Sequence, residues 1–104
     1  MEVILFDHRV QDFINTLEDE AVSRVWRILR ILENKGHLLR MPHARMIEAG
    51  LYELRIIGHQ EVRLFYTFKR NRAWVLHGFI KKTVRLPETE LITARARKNS
   101  LDSL

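Results

Sequence analysis

Three consecutive β-strands are predicted by the stretches Leu51–Ile57 (LYELRII), Val62–Phe68 (VRLFYTF) and Trp74–Lys82 (WVLHGFIKK). Each stretch is rich in β-branched and aromatic residues, and short polar connections separate them. Because side chains alternate across a strand, basic residues share one face while apolar residues occupy the other. The pattern predicts a small antiparallel sheet with one cationic face and a core face that carries Leu54, Leu64 and Leu76.

The first connection determines which residues lie opposite each other. An odd number of loop residues places Leu54 opposite Leu64, and Arg55 then lies opposite Arg63. An even loop would place Arg63 opposite Leu54 and bury one of them wrongly, so patterning favours the odd loop. Two adjacent arginines repel, and Glu53 is the acid available to separate them. The turn Arg70–Arg72 also has an odd number of residues, so the same argument places His77, Phe79 and Lys81 on the face that carries the arginines.

Helices are predicted on both sides of these strands. A short strand at Val3–Phe6 leads into a helix that begins near His8 and is capped by Asp7. A longer helix is predicted from about Glu20 to Lys35, because apolar residues recur there at helical spacing. A C-terminal helix is predicted from about Glu88 to Leu101, with acidic residues in its first turn and basic residues toward its end.

These elements predict an α+β fold in a single domain of residues 1–104. The architecture is a two-layer sandwich, with the N-terminal strand and two helices packed on one face of the antiparallel sheet and a C-terminal helix after it. The other face of the sheet is expected to be free. The segment from His37 to Gly50 shows no periodicity and is predicted to be a long loop that borders the functional site. Trp26 and Trp74 are predicted to be packing residues.

The composition narrows the function classes. The net charge is +5, and residues 1–50 contribute −1 whereas residues 51–104 contribute +6, since they hold 7 and 11 basic against 8 and 5 acidic residues. Such a basic half favours encounter with polyanions, above all nucleic acid. The chain has no cysteine, and its five histidines have no metal-ligand spacing. We therefore expect a cytoplasmic, non-exported protein without a membrane span, metal or cofactor.

Several side chains on the basic face are candidates for binding or chemistry. Arg55 and Arg63 could clamp a phosphate, because guanidinium groups match phosphate oxygens. The alternative is a solvated sheet face or an ion pair between Arg63 and Glu53. His77 could transfer a proton, or could simply be a half-buried histidine beside Phe79. On the same face, two rings are candidates for base stacking: Phe65 and Phe79.

The chain resembles a known family in its element order and in three motifs. These motifs are Gly50–Arg55 (GLYELR), Arg63–Tyr66 (RLFY) and His77–Lys82 (HGFIKK), followed by a helix after Pro87. In this order they are similar to the RelE/ParE toxin superfamily, and most of all to its phage-derived, HigB-like branch.

The resemblance implies the toxin of a type II toxin–antitoxin pair. Such a toxin is an mRNA endoribonuclease, or mRNA interferase, that cuts messages on the ribosome, and a cognate antitoxin, usually a helix-turn-helix protein, holds it inactive in a hetero-oligomer. The expected catalytic residues are Arg55, Arg63, His77 and Lys81, with His77 and Lys81 as base and acid in either order. The expected nucleic-acid contacts are Phe65, Lys69, Phe79, Lys82, Arg85, Arg95 and Arg97.

Two other functions are compatible with the same residues. ParE-like members of the superfamily inhibit DNA gyrase, so the basic sheet would contact protein or DNA without cleavage chemistry. A non-enzymatic, phage-derived RNA-binding or regulatory module would need only the basic half and exposed aromatic rings.

Overall fold

The computed structural model describes residues 1–104, which form one five-stranded sheet and three α-helices. In chain order the elements are β1 (Glu2–Leu5), α1 (His8–Asn15), α2 (Asp19–Lys35), a 3₁₀ turn (Gly36–Leu38), β2 (Ala44–Glu48), β3 (Leu51–Ile56), β4 (Val62–Lys69), β5 (Arg72–Ile80) and α3 (Glu88–Asp102). The α+β class and the three helices are confirmed.

Local signals account for the helix ends. The Asp7 carboxylate accepts a hydrogen bond from the backbone N–H of Arg9 and so caps α1, as predicted. Gly36 ends α2 at a φ of +52°, a conformation that a residue with a Cβ rarely adopts.

The sheet has the strand order β1-β5-β4-β3-β2, with β1 parallel to β5 and every other neighbouring pair antiparallel. Leu54 lies opposite Leu64, and Arg55 lies opposite Arg63, so the register predicted from loop parity is confirmed. Further along β4 the pairing with β5 shifts at a β-bulge, where Leu76 is the extra residue.

The main core lies between the sheet and the first two helices. Alternate residues of β3, β4 and β5 face the apolar stripes of α1 and α2 there. Its most buried members include Val10, Ile14, Val25, Leu32, Leu54, Leu64, Tyr66 and Val75.

A second core lies on the opposite face of the sheet, beneath α3. It contains Leu51, Phe65, Leu76, Phe79, Leu91, Ala94 and Leu101. The expectation of a free second face is therefore wrong for the half that α3 covers. Leu76 is buried as predicted but belongs to this second core, because the bulge reverses the alternation of β5.

The predicted loop from His37 to Gly50 contains a strand that the sequence did not indicate. β2 pairs antiparallel with β3, with a bulge at Ile47, and forms one edge of the sheet. Ala44 is its one fully buried residue, so β2 lacks the apolar alternation that reveals a strand. Backbone hydrogen bonds to β3 stabilise it instead.

The two tryptophans differ from the prediction in part. Trp74 packs against the second core, and its indole N–H donates to the backbone oxygen of Lys69. Trp26 is 42% exposed on the surface of α2, so its predicted packing role is wrong.

Candidate nucleic-acid interface

A depression of about 240 Å³ opens on the part of the second sheet face that α3 leaves uncovered. Strands β2, β3 and β4 and the segment after β5 all contribute to it. It is lined by Met41, Arg45, Glu53, Arg55, Arg63, Lys81 and Val84. We call it the cationic depression, since four of its seven residues are basic and one is acidic.

A fully buried carboxylate, that of Glu53, lies at the bottom of the cationic depression. Its Oε1 accepts a hydrogen bond of 2.8 Å from Nε of Arg45. Its Oε2 has no hydrogen-bond partner, and the Nε of Arg63 lies 3.8 Å away. A buried charge is tolerated only beside opposite charge, so Glu53 holds the neighbouring guanidinium groups together and partly offsets their repulsion.

Arg55 and Arg63 are adjacent but differ in how freely they can bind an anion. The side chain of Arg63 is 5% exposed and donates to the backbone oxygen of Val62 and to Glu61. The side chain of the half-buried Arg55 makes one weak hydrogen bond, to the sulfur of Met41 at 4.0 Å, and no ion pair. The alternative interpretation, an ion pair of Arg63 with Glu53, is thus present, and Arg55 is the guanidinium still available to a phosphate.

Lys81 reaches the cationic depression from the end of β5. Its ammonium donates to the backbone oxygens of Thr83 and Val84 at 2.6 and 2.8 Å, which folds the following segment around it. Lys82 and Arg85 lie on the same segment and are exposed. Only Lys81 of the lysine pair lines the cationic depression, in agreement with strand alternation.

His77 lies outside the cationic depression. It is separated from Lys81 by Phe79 on the same face of β5, roughly 13 Å along the strand by Cα spacing. Its Nε2 lies 2.7 Å from the Glu90 carboxylate, and its Nδ1 lies 3.3 Å from a guanidinium nitrogen of Arg97. Burial lowers the pKa of His77, although the hydrogen bond with Glu90 acts in the opposite direction.

The two phenylalanines predicted to stack on bases lie under α3. Phe65 has no exposed surface and Phe79 is 7% exposed, and their ring centroids are 5.3 Å apart. They pack in the second core, so neither ring offers a face to a base. Side-chain alternation in β4 and β5 correctly predicts that both rings lie on the basic face. It cannot predict that α3 covers this part of the face.

Three other predicted nucleic-acid contacts have partners within the chain. Lys69 donates to the last turn of α3, at the backbone oxygen of Leu101. Arg97 is half-buried and donates to the backbone oxygen of Leu76. Arg95 forms ion pairs of 2.8 Å with two carboxylates, those of Glu48 and Glu88.

Sequence reasoning missed Arg45 and the buried state of Glu53. Arg45 lies in β2, directly opposite Glu53 of β3, and an antiparallel pair of this kind brings opposite charges together. The pairing of Arg45 with Glu53 can be predicted only if residues 44–48 are recognised as a strand. Nowhere do three or more His, Cys, Asp or Glu side chains form a cluster suited to a metal ion. None of the helices is long and apolar enough to cross a membrane.

Comparison with known proteins assigns the chain to a protein family. The family model described as "Phage derived protein Gp49-like (DUF891)" matches residues 12–99, which include the cationic depression and most of α3. The chain belongs to this phage-derived family, a family of RelE-like toxins of toxin–antitoxin systems. The match does not single out the HigB-like branch. No curated protein matches the chain.

Proposed function

We propose that this chain is the toxin of a type II toxin–antitoxin system and acts as a metal-independent mRNA endoribonuclease on the ribosome. Its membership of the Gp49-like family supports the toxin role. The cationic depression supports RNA as the target, because its lining carries four positive charges against one buried carboxylate and so attracts a polyanion. The expected partner is a helix-turn-helix antitoxin, as in the HigB-like branch.

The proposed chemistry is a transfer at phosphorus. The ribose 2′-hydroxyl gives its proton to a base and attacks the adjacent phosphorus. The bond from phosphorus to the 5′-oxygen breaks and an acid protonates that oxygen, which leaves a 2′,3′-cyclic phosphate and a 5′-hydroxyl. Arg55 binds the scissile phosphate, and Arg63, held beside Glu53, adds positive charge below it. Charges that are already in place where negative charge develops stabilise the transition state most.

Lys81 is the group proposed to transfer a proton in the cationic depression, since it lines the depression. Its ammonium donates to the backbone oxygens of Thr83 and Val84 and must exchange one of these bonds for the substrate. His77 is the second group expected from the sequence. Glu90 and Arg97 of α3 hold its imidazole outside the cationic depression, so no contact in the structure supports its participation. A variant His77→Ala that cleaves normally would remove it from the mechanism.

Expression in bacteria tests the proposal. We expect growth arrest, and primer extension on messages from the arrested cells should show cuts. Arg55→Ala should reduce cleavage by about 10²–10³-fold, the usual loss for one donor to a developing anion. Arg70→Ala removes the same charge from the exposed turn at the far end of β4 and should leave cleavage unchanged.

Other outcomes separate the alternative functions. Growth arrest with intact messages and inhibited gyrase would refute the endoribonuclease and favour a ParE-like inhibitor. A chain that folds but is not toxic would favour a non-enzymatic RNA-binding module.

A further inference from the structure

A second depression, of about 260 Å³, lies between α2 and the end of β3. Aliphatic residues form its floor and basic residues its rim, and no carboxylate lines it. Its residues are Arg24, Arg27, Ile28, Ile31, Pro42, His43, Arg55, Ile56 and Ile57. We call it the α2 groove.

The α2 groove adjoins the cationic depression at the end of β3, although the two lie on opposite faces of the sheet. Arg55 lines both. The segment before β2 also borders both depressions, since Met41 lines the cationic depression and the next two residues, Pro42 and His43, line the α2 groove. A chain with regularly spaced anions could therefore occupy both and share Arg55 at the junction.

The cations of the α2 groove are not equally engaged. Arg24 forms an ion pair of 2.6 Å with Glu20 and donates to the backbone oxygen of Ile57 at 3.0 Å. The side chain of Arg27 is exposed and forms no ion pair or hydrogen bond, and the only hydrogen bond of the Arg55 side chain is to a methionine sulfur. Two guanidinium groups without carboxylate partners therefore face one groove.

The apolar floor of the α2 groove strengthens phosphate binding by these guanidinium groups. Ile28 and Ile56 are buried, whereas Ile57 is half exposed, so the bottom of the groove is apolar. An apolar wall lowers the local dielectric and strengthens the attraction between a guanidinium and a phosphate. The planar guanidinium also matches two phosphate oxygens at once.

We propose that the α2 groove is a second phosphate-binding subsite, where Arg27 holds the RNA backbone next to the phosphate bound in the cationic depression. The inference rests on the proposed function, since RNA is the substrate proposed there. An acidic protein segment is the competing occupant. The position of Arg55 between the two depressions favours RNA, because a backbone of repeated phosphates that passes the end of β3 can contact both.

Binding of a short, fully 2′-O-methylated RNA of mixed sequence tests the subsite. This probe lacks the 2′-hydroxyl nucleophile and cannot be cut, so fluorescence anisotropy measures binding alone. Arg27→Ala should weaken binding about three- to tenfold at 0.1 M salt. It should also reduce the slope of log K against log salt by about 0.7, the value for one phosphate contact on a single strand.

Arg30→Ala is the matched control. Arg30 is an exposed arginine on the same helix, but it lines a separate depression beside β1, with Val3, Leu5 and Trp26. Its removal lowers the net charge equally, so it should affect binding less than Arg27→Ala and leave the slope nearly unchanged.

The outcomes separate this inference from the function on which it rests. Equal effects of Arg27→Ala and Arg30→Ala, or no effect of either, would overturn the subsite and leave the α2 groove to a protein partner. Lack of binding by the unaltered chain would overturn it as well. Message cleavage decides the proposed function independently, because it is measured in cells with natural RNA.

Discussion

Gly78 in β5 should not tolerate even a methyl group. It lies opposite Leu64 on the sheet face that packs against α1 and α2. A Cβ at this position would lie 2.6 Å from two ring carbons of Phe13 and 2.7 Å from a methyl carbon of Leu64. Carbon atoms attract best at about 3.5–4.0 Å, so the ring and the leucine must both shift.

The size of the effect follows from two opposing terms. Forcing an extra carbon into a packed core costs about 1–3 kcal/mol. Replacing glycine by alanine restricts the unfolded chain and stabilises by about 0.4–1 kcal/mol. Gly78→Ala should therefore lower the free energy of unfolding by about 1–2 kcal/mol, which corresponds to a decrease in Tm of about 5–15 °C at this chain length.

Thermal and urea unfolding followed by circular dichroism measure this change. Gly58→Ala is the control, because a Cβ there meets Arg24 at 3.4 Å, an ordinary contact, and it should be neutral or slightly stabilising. Phe13→Leu in the Gly78→Ala background should recover part of the loss, since a smaller side chain relieves the clash. Equal stability of Gly78→Ala and the unaltered chain would show that the core between β5 and α1 accommodates the extra carbon.

Three further predictions concern buried polar groups. Glu53→Gln should destabilise the fold by about 1–3 kcal/mol in urea unfolding, because the buried Arg63 then keeps only the partly exposed Glu61 as a counter-charge. Burial lowers the pKa of His77, so the unfolded chain binds more protons just below pH 6.5. Stability should thus fall as the pH drops below about 6.5, and His77→Phe should reduce that fall. Burial raises the pKa of Tyr66 to about 12. In Tyr52→Phe the repulsion from an ionised Tyr52 is lost but burial remains, so the remaining tyrosine should still ionise well above pH 10 in an ultraviolet titration. A midpoint near 10 would contradict its burial.

The main elements of the fold are predictable from the sequence because their signals are local. Alternating strands, the apolar stripe of α2 and the cap at Asp7 each depend on residues close together in the chain. Register is also predictable where one face is buried, since a shift by one residue would expose Leu54 and bury Arg55. The excess of Lys and Arg in residues 51–104 can also be counted directly, and it assigns most of the basic surface to that half of the chain.

The missed features depend on contacts between distant segments. β2 has no apolar alternation and is a strand only because β3 lies beside it. Phe65 and Phe79 belong to a face with the right residues, but α3 covers it from a distant part of the chain. His77 shares that face, where Glu90 of α3 holds its imidazole, a contact that no pattern within β5 encodes.

The amino-acid sequence is enough to predict the helices, the three central strands, their register and the concentration of cations on one face. These follow from side-chain period, caps and loop parity, which are properties of short segments. The tertiary structure alone decided which half of the basic face stays open, that Glu53 is buried among arginines, and that Arg55 joins two depressions. Burial and charge pairing arise from segments that meet only after folding, so no local pattern encodes them.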